Sequence, residues 1–130
     1  MKNSAPSLDT DVVVMSPAKK ATIEHADPTL YGRLDERYSG FKEHELISSY
    51  EFESSWTTWE MHPHGDEVVI LLAGQATLVL RLATGEKSVL LDQQGQFVIV
   101  PTGTWNTAKV NQYARMLFIT PGEGTLHEEV

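Results

Sequence analysis

Gln75-Ala-Thr-Leu-Val-Leu-Arg-Leu82, Lys87-Ser-Val-Leu-Leu91 and Gln96-Phe-Val-Ile-Val100 are three short β-type runs. The turn sequences Ala83-Thr-Gly85 and Asp92-Gln-Gln-Gly95 separate them, and Pro101-Thr-Gly103 ends the third. Each run is rich in β-branched or apolar residues, and glycine or proline closes it, which is the punctuation of strands joined by tight turns. The same rhythm extends in both directions. Upstream, 45–53, 55–61 and the apolar run 67–72 read as strands, the last ending at Ala73-Gly74. Downstream, 105–110 and 113–120 follow, the latter ending at Pro121-Gly122. Within 55–61, Trp56, Thr58 and Glu60 alternate with Thr57, Trp59 and Met61, the period of a strand with two different faces. Strands this short and this evenly spaced predict an all-β sandwich or barrel.

Outside that core the reading is coarser. Asp11-Val-Val-Val-Met15 predicts a first strand, and its apolar character makes it a candidate partner-facing element. Residues 1–10 are polar, carry Pro6 and read as a flexible tail, which leaves 11–130 as one domain with its barrel core at about 45–120. Between Pro17 and Gly40 the charged run Arg33-Leu-Asp-Glu-Arg37 suits a loop or a short helical turn. The end from Thr120 to Val130 is Gly-rich and acidic, and His127 within it reads as solvated.

Composition bounds the function. There are 130 residues, no cysteine, and 18 acidic against 10 basic residues, for a formal net charge of -8. Lack of cysteine excludes a disulfide framework, a thiolate nucleophile and a Cys-ligated metal. The acidic balance disfavours nucleic acid and anionic lipid as partners. The longest apolar run, 68–73, is too short to span a bilayer, and the N-terminus has no apolar signal core. The expected compartment is the cytoplasm.

Chemistry concentrates in Glu60-Met-His62-Pro-His64-Gly-Asp66-Glu67. Glu60 and His62 are two apart on a strand, so both side chains leave one face, which also carries Trp56 and Thr58. Unpaired burial of a carboxylate and an imidazole costs about several kcal/mol, so such groups need a metal, a ligand or each other. Pro63-His64-Gly65 turns the chain, and the next strand returns Glu67 toward His62. One imidazole with converging carboxylates is a mixed N/O set suited to Mn, Fe, Ni or Zn. His64 and Asp66 read as turn residues. Arg81 and Arg115, inside apolar strands, read as partners for carboxylates, and Trp105 as packed outward.

The spacing resembles that of the cupins. Glu67 is followed after six residues by Gly74, and Gly95 after five residues by Pro101-Thr-Gly103, two residues and Asn106. These are the E-x6-G end of the first cupin motif and the G-x5-P-x-G-x2 body of the second. The resemblance implies a double-stranded β-helix, or jelly roll, often dimeric, with a divalent metal held in the barrel pocket. Carried over residue by residue, it implies Glu60, His62, Glu67 and Asn106 as the metal-ligand positions, with His64 as the alternative ligand. Trp56 and Thr58 share the strand face of Glu60 and His62 and are the pocket candidates. The departures are chemical. Glu60 and Asn106 stand where the family has histidines, Val110 replaces the closing Asn, and Ser54 replaces the opening Gly. Three functions follow as expectations. The first is a metal-dependent oxygenase, isomerase or decarboxylase acting on a small polar metabolite. The second is a non-catalytic binding or sensing barrel with a degenerate metal site. The third is a structural barrel whose polar groups satisfy one another. A homodimer is expected in each case.

Overall fold

A computed structural model describes residues 4–130. Eleven strands and one helix are found among them: β1 Asp11–Met15, β2 Ala21–His25, α1 Leu30–Arg37, β3 Glu45–Phe52, β4 Thr58–Met61, β5 Glu67–Gly74, β6 Ala76–Leu82, β7 Gly85–Leu91, β8 Phe97–Val100, β9 Asn106–Lys109, β10 Ala114–Thr120 and β11 Leu126–Glu129. They form two antiparallel sheets, ordered β2-β1-β3-β10-β5-β8 and β11-β4-β9-β6-β7. This is the all-β architecture that the strand rhythm predicts, in the jelly-roll form that the resemblance implies. No helix among the described residues is long and apolar enough to cross a membrane.

Strand alternation decides what lies between the sheets. Val69 and Leu71 of β5, Leu78 and Leu80 of β6, and Met116 and Phe118 of β10 all point inward and fill one end of the barrel. Gly74 closes β5 at φ +77°, and a Cβ there would stand 2.2 Å from the Tyr113 carbonyl oxygen. Only glycine fits both that backbone angle and that approach. Gly103, at φ +73°, lets the second motif's turn fold back so that its N–H donates to the His62 carbonyl at 2.9 Å. Asp66 fastens the same turn, accepting from the Thr102 N–H at 2.8 Å and its hydroxyl at 2.7 Å.

The structure extends the sequence reading at three places. The stretch read as loop or helical turn contains an edge strand, β2, as well as α1. Its Glu24 is buried and accepts from Tyr38 Oη at 2.7 Å and from Arg37 at 3.1 and 3.2 Å, which ties α1 to the sheet edge. β1 is an inner strand of its sheet, because β2 and β3 pair with its two sides. Its Val12 and Val14 are covered by Leu30 and Leu34 of α1, with Phe41 and Leu46. The acidic end is exposed over Leu126–Glu129, His127 included, but it is a strand: β11 pairs with β4 in register from Leu126↔Met61 to Glu129↔Thr58. Of the segment expected to be a tail, 1–3 lie outside the described residues. Ser7 to Asp11 forms a hydrogen-bonded turn, with Asp9 paired to Arg115.

Candidate functional site

A cavity of about 570 Å³ opens between the sheets beside the apolar core, with Phe118 common to both. Leu46, Ser48 and Tyr50 of β3 and Phe118 and Thr120 of β10 wall one side. Glu60 and His62, with His127 of β11, wall the other. Tyr31 and Leu34 of α1, with Phe41 beyond the helix, close it over. The Trp56 ring completes the apolar wall, 5.9 Å from Phe118 between centroids.

The polar floor is built on His62. Thr125 Oγ1 gives its proton to the Gly122 carbonyl at 2.9 Å, so it accepts from His62 Nδ1–H, also at 2.9 Å. That bond fixes the ring and turns Nε2 inward. Nε2 lies 3.3 Å from Glu67 Oε2 and 3.9 Å from Glu60 Oε2, yet it is not aligned for a hydrogen bond to either. Glu67 Oε2 accepts from the Thr120 hydroxyl at 2.7 Å, while Oε1 has no partner. The Asn106 amide donates to the carbonyls of Glu60 at 3.1 Å and Thr104 at 3.5 Å, which leaves its buried Oδ1 without a partner. Trp56 Nε1 is likewise buried and unpartnered.

Electrostatics follow from this crowding. Burial and the nearby Glu67 carboxylate hold the Glu60 carboxyl above its usual value, against the opposing pull of the His62 and His127 rings. Burial pulls the His62 imidazole down, but the adjacent Glu67 and Glu60 carboxylates outweigh it, so it titrates above its usual value. The floor therefore favours protons on both groups.

Glu60, His62 and Glu67 come together, and Asn106 lies beneath them as the register partner of Glu60. His64 does not join them: it is in the turn, 3.9 Å from Glu123. Trp56 lines the cavity. Thr58 does not, because it stands one strand repeat outward from Glu60 and lines a shallower cleft beside the 51–57 connection. Arg81 lies over the Trp59 ring at 3.9 Å, and Arg115 pairs with Glu51 at 3.2 Å, so neither enters the cavity. Sequence reasoning missed His127, whose Nε2 is 3.4 Å from Glu60 Oε1, along with the walls Phe41, Tyr50 and Phe118. The inward alternation of β3 and β10 was the available signal for Tyr50 and Phe118. None marked Phe41 or His127.

Glu60 and Glu67 flank His62 Nε2 at 3.9 and 3.3 Å without forming a ready-made metal site. Among the described residues, no three His, Cys, Asp or Glu side chains gather where one ion would join them. One oxygen of Glu67 is already engaged by Thr120.

No family model and no curated protein matches the chain. Solved structures do. A cupin-2 domain protein from Shewanella frigidimarina matches at TM-score 0.50 and 21% identity, over 59% of this chain and 70% of that one. Hydroquinone 1,2-dioxygenase from Sphingomonas sp. TTNP3, with 4-hydroxybenzoate bound, matches at TM-score 0.50 and 20% identity, over 66% and 60%. Bacillus subtilis oxalate decarboxylase, a protein with Mn(II) centres, matches at TM-score 0.52 and 12% identity, over 67% and 23%. These likenesses show that the chain has the cupin fold.

Proposed function

We propose that the chain binds a small organic molecule, largely apolar with a polar head, in the cavity between its sheets. The observation that carries this is the pair of cavity-lining residues with buried, unpartnered polar atoms, His62 Nε2 and Trp56 Nε1. Each such atom costs about 1–3 kcal/mol when left without a partner, and a ligand head group relieves that cost. The cavity's size and mixed lining are those of small-molecule sites. The aromatic walls move the ligand away from the small polar metabolite expected from the resemblance.

A thermal-shift screen of small aromatic metabolites, run in chelator, tests the proposal. Ligands that raise the melting temperature in EDTA support it. Loss of all binding in EDTA, or near-stoichiometric Mn, Fe, Ni or Zn in the purified protein, overturns it in favour of a metal centre like the Mn(II) centres of oxalate decarboxylase. A second reading, an enzyme, is favoured by the His62 ring, which Thr125 pins and whose Nε2 sits beside Glu67. That arrangement suits proton transfer to or from a bound ligand. Turnover lost in His62→Gln with ligand binding retained identifies it.

Association of two copies is proposed through the outer face of the six-stranded sheet. Ile23, Val13, Ile47, Ile119, Val68 and Ile99 are consecutive register partners across all six strands. At the usual strand spacing this apolar row is about 24 Å long. Ile23 and Ile99 at its two ends are more than half exposed. A continuous outward row of this kind is the surface that a self-complementary partner covers.

A further inference from the structure

The charge of the cavity selects among the ligands that its walls admit, an inference that rests on the binding reading above. Asp35 lines the mouth and Glu60 the interior, and Glu67 lies just beneath at 2% exposure. Among the described residues, no Lys or Arg lines the cavity. The two imidazoles present, His62 and His127, already face carboxylates at 3.3 and 3.4 Å. The two imidazoles thus face three carboxyl groups. Around this surplus stand aromatic rings, with Phe118 at 6.2 Å from Tyr50 and 5.9 Å from Trp56. Aromatic faces attract cations through the ring quadrupole, and a carboxylate in the same enclosure adds a Coulomb pull that burial strengthens. An anionic ligand meets the opposite field and finds no guanidinium or ammonium to hold it.

We propose that the cavity binds an amine, an organic cation carrying an aromatic-sized apolar group, in preference to neutral or anionic molecules of the same shape. The ammonium sits toward Glu60, and the apolar part lies among Tyr50, Trp56 and Phe118.

Calorimetry on the full chain with phenethylamine, 2-phenylethanol and phenylacetate tests this, because the three differ mainly in charge. Phenethylamine is expected to bind about tenfold or more tighter than 2-phenylethanol, with phenylacetate weakest. In Glu60→Gln, checked for retained fold by circular dichroism, the amine-to-alcohol ratio is expected to fall to about threefold or less. Phenylacetate or 2-phenylethanol binding as tightly as phenethylamine overturns the charge selection while leaving the binding reading intact. Should none of the three bind, the binding reading itself fails and takes this one with it. The wild-type series decides the matter even if the variant does not fold.

Discussion

His127 of β11 stands opposite Glu60 of β4 in antiparallel register, with its Nε2 3.4 Å from Glu60 Oε1. The C-terminal strand thus supplies one of the two imidazoles that hold the Glu60 carboxyl down, against burial and Glu67, which push it up. In His127→Ala the Glu60 carboxyl should therefore titrate higher than in the wild type, and in Glu67→Gln lower. Side-chain carboxyl NMR through a pH titration reads both directions. A Glu60 that is indifferent to His127 would mean that the contact is not kept in solution.

The same floor sets a pH dependence of stability. His62 titrates in the folded state above its ordinary value of 6.5. A raised folded value means that its contribution is full below about 6.5 and is lost as pH climbs through the folded value. Glu60 is also raised, from 4.5, so it too favours the folded state more at low pH than at high. Both act in one direction, and each bounds the slope at about 1.4 kcal/mol per pH unit. Melting temperature should fall as pH rises above about 6.5, and His62→Gln should flatten that decline. A His62→Gln profile as steep as the wild type's would assign the decline elsewhere.

Gly74→Ala should be among the most damaging single changes outside the cavity. The new Cβ would meet the Tyr113 carbonyl oxygen at 2.2 Å, and that oxygen already accepts the Gln75 N–H at 3.0 Å. The left-handed backbone angle adds its own cost, for a total of about 2–4 kcal/mol. Urea denaturation of the two proteins measures it, and a difference below about 1 kcal/mol would show that the β5–β10 junction yields easily.

What the sequence disclosed and what it hid follow from where each element finds its partners. The motif spacing was readable because Gly74 and Gly103 answer local backbone demands, and such demands are written in residue type. The Glu60–His62–Glu67 grouping was readable because strand alternation fixes which side chains share a face. β2 was not, and α1 only as a short helical turn, because buried Glu24 joins them through Arg37 and Tyr38, contacts that no local pattern encodes. β11 was hidden in a Gly-rich acidic end, where pairing with β4 overrides weak strand propensity. Cavity residues such as Phe41 come from connections, whose placement depends on the finished fold.

The apolar row on the outer sheet face predicts the behaviour of an edge variant. Ile99 is 53% exposed at the end of that row. If the row is covered by a second copy, Ile99→Glu places a charge in the contact and weakens association about tenfold or more. Sedimentation over a concentration series checks this. A wild type that remains monomeric throughout removes the proposed interface.

Asn106→His tests whether the missing imidazole limits metal binding by this barrel's donors. Asn106 is fully buried, and its amide holds the Glu60 and Thr104 carbonyls, with Oδ1 unpartnered. A histidine there keeps one ring N–H to donate to the Glu60 carbonyl. Its other nitrogen then offers a lone pair where Oδ1 now stands, joining the His62 ring and the two carboxylates. Imidazole is a far better ligand than an amide oxygen for Ni, Co or Zn. The variant should therefore gain about tenfold or more in affinity for these ions over the wild type, at a cost of about 1–3 kcal/mol in stability from the larger ring. Calorimetric metal titration with elemental analysis of both proteins reads the gain. If the wild type already holds stoichiometric metal, the present donors suffice and the ligand-binding reading yields to a metal centre. If the variant gains nothing, the obstacle is the fixed spacing of Glu60, His62 and Glu67, not the missing imidazole.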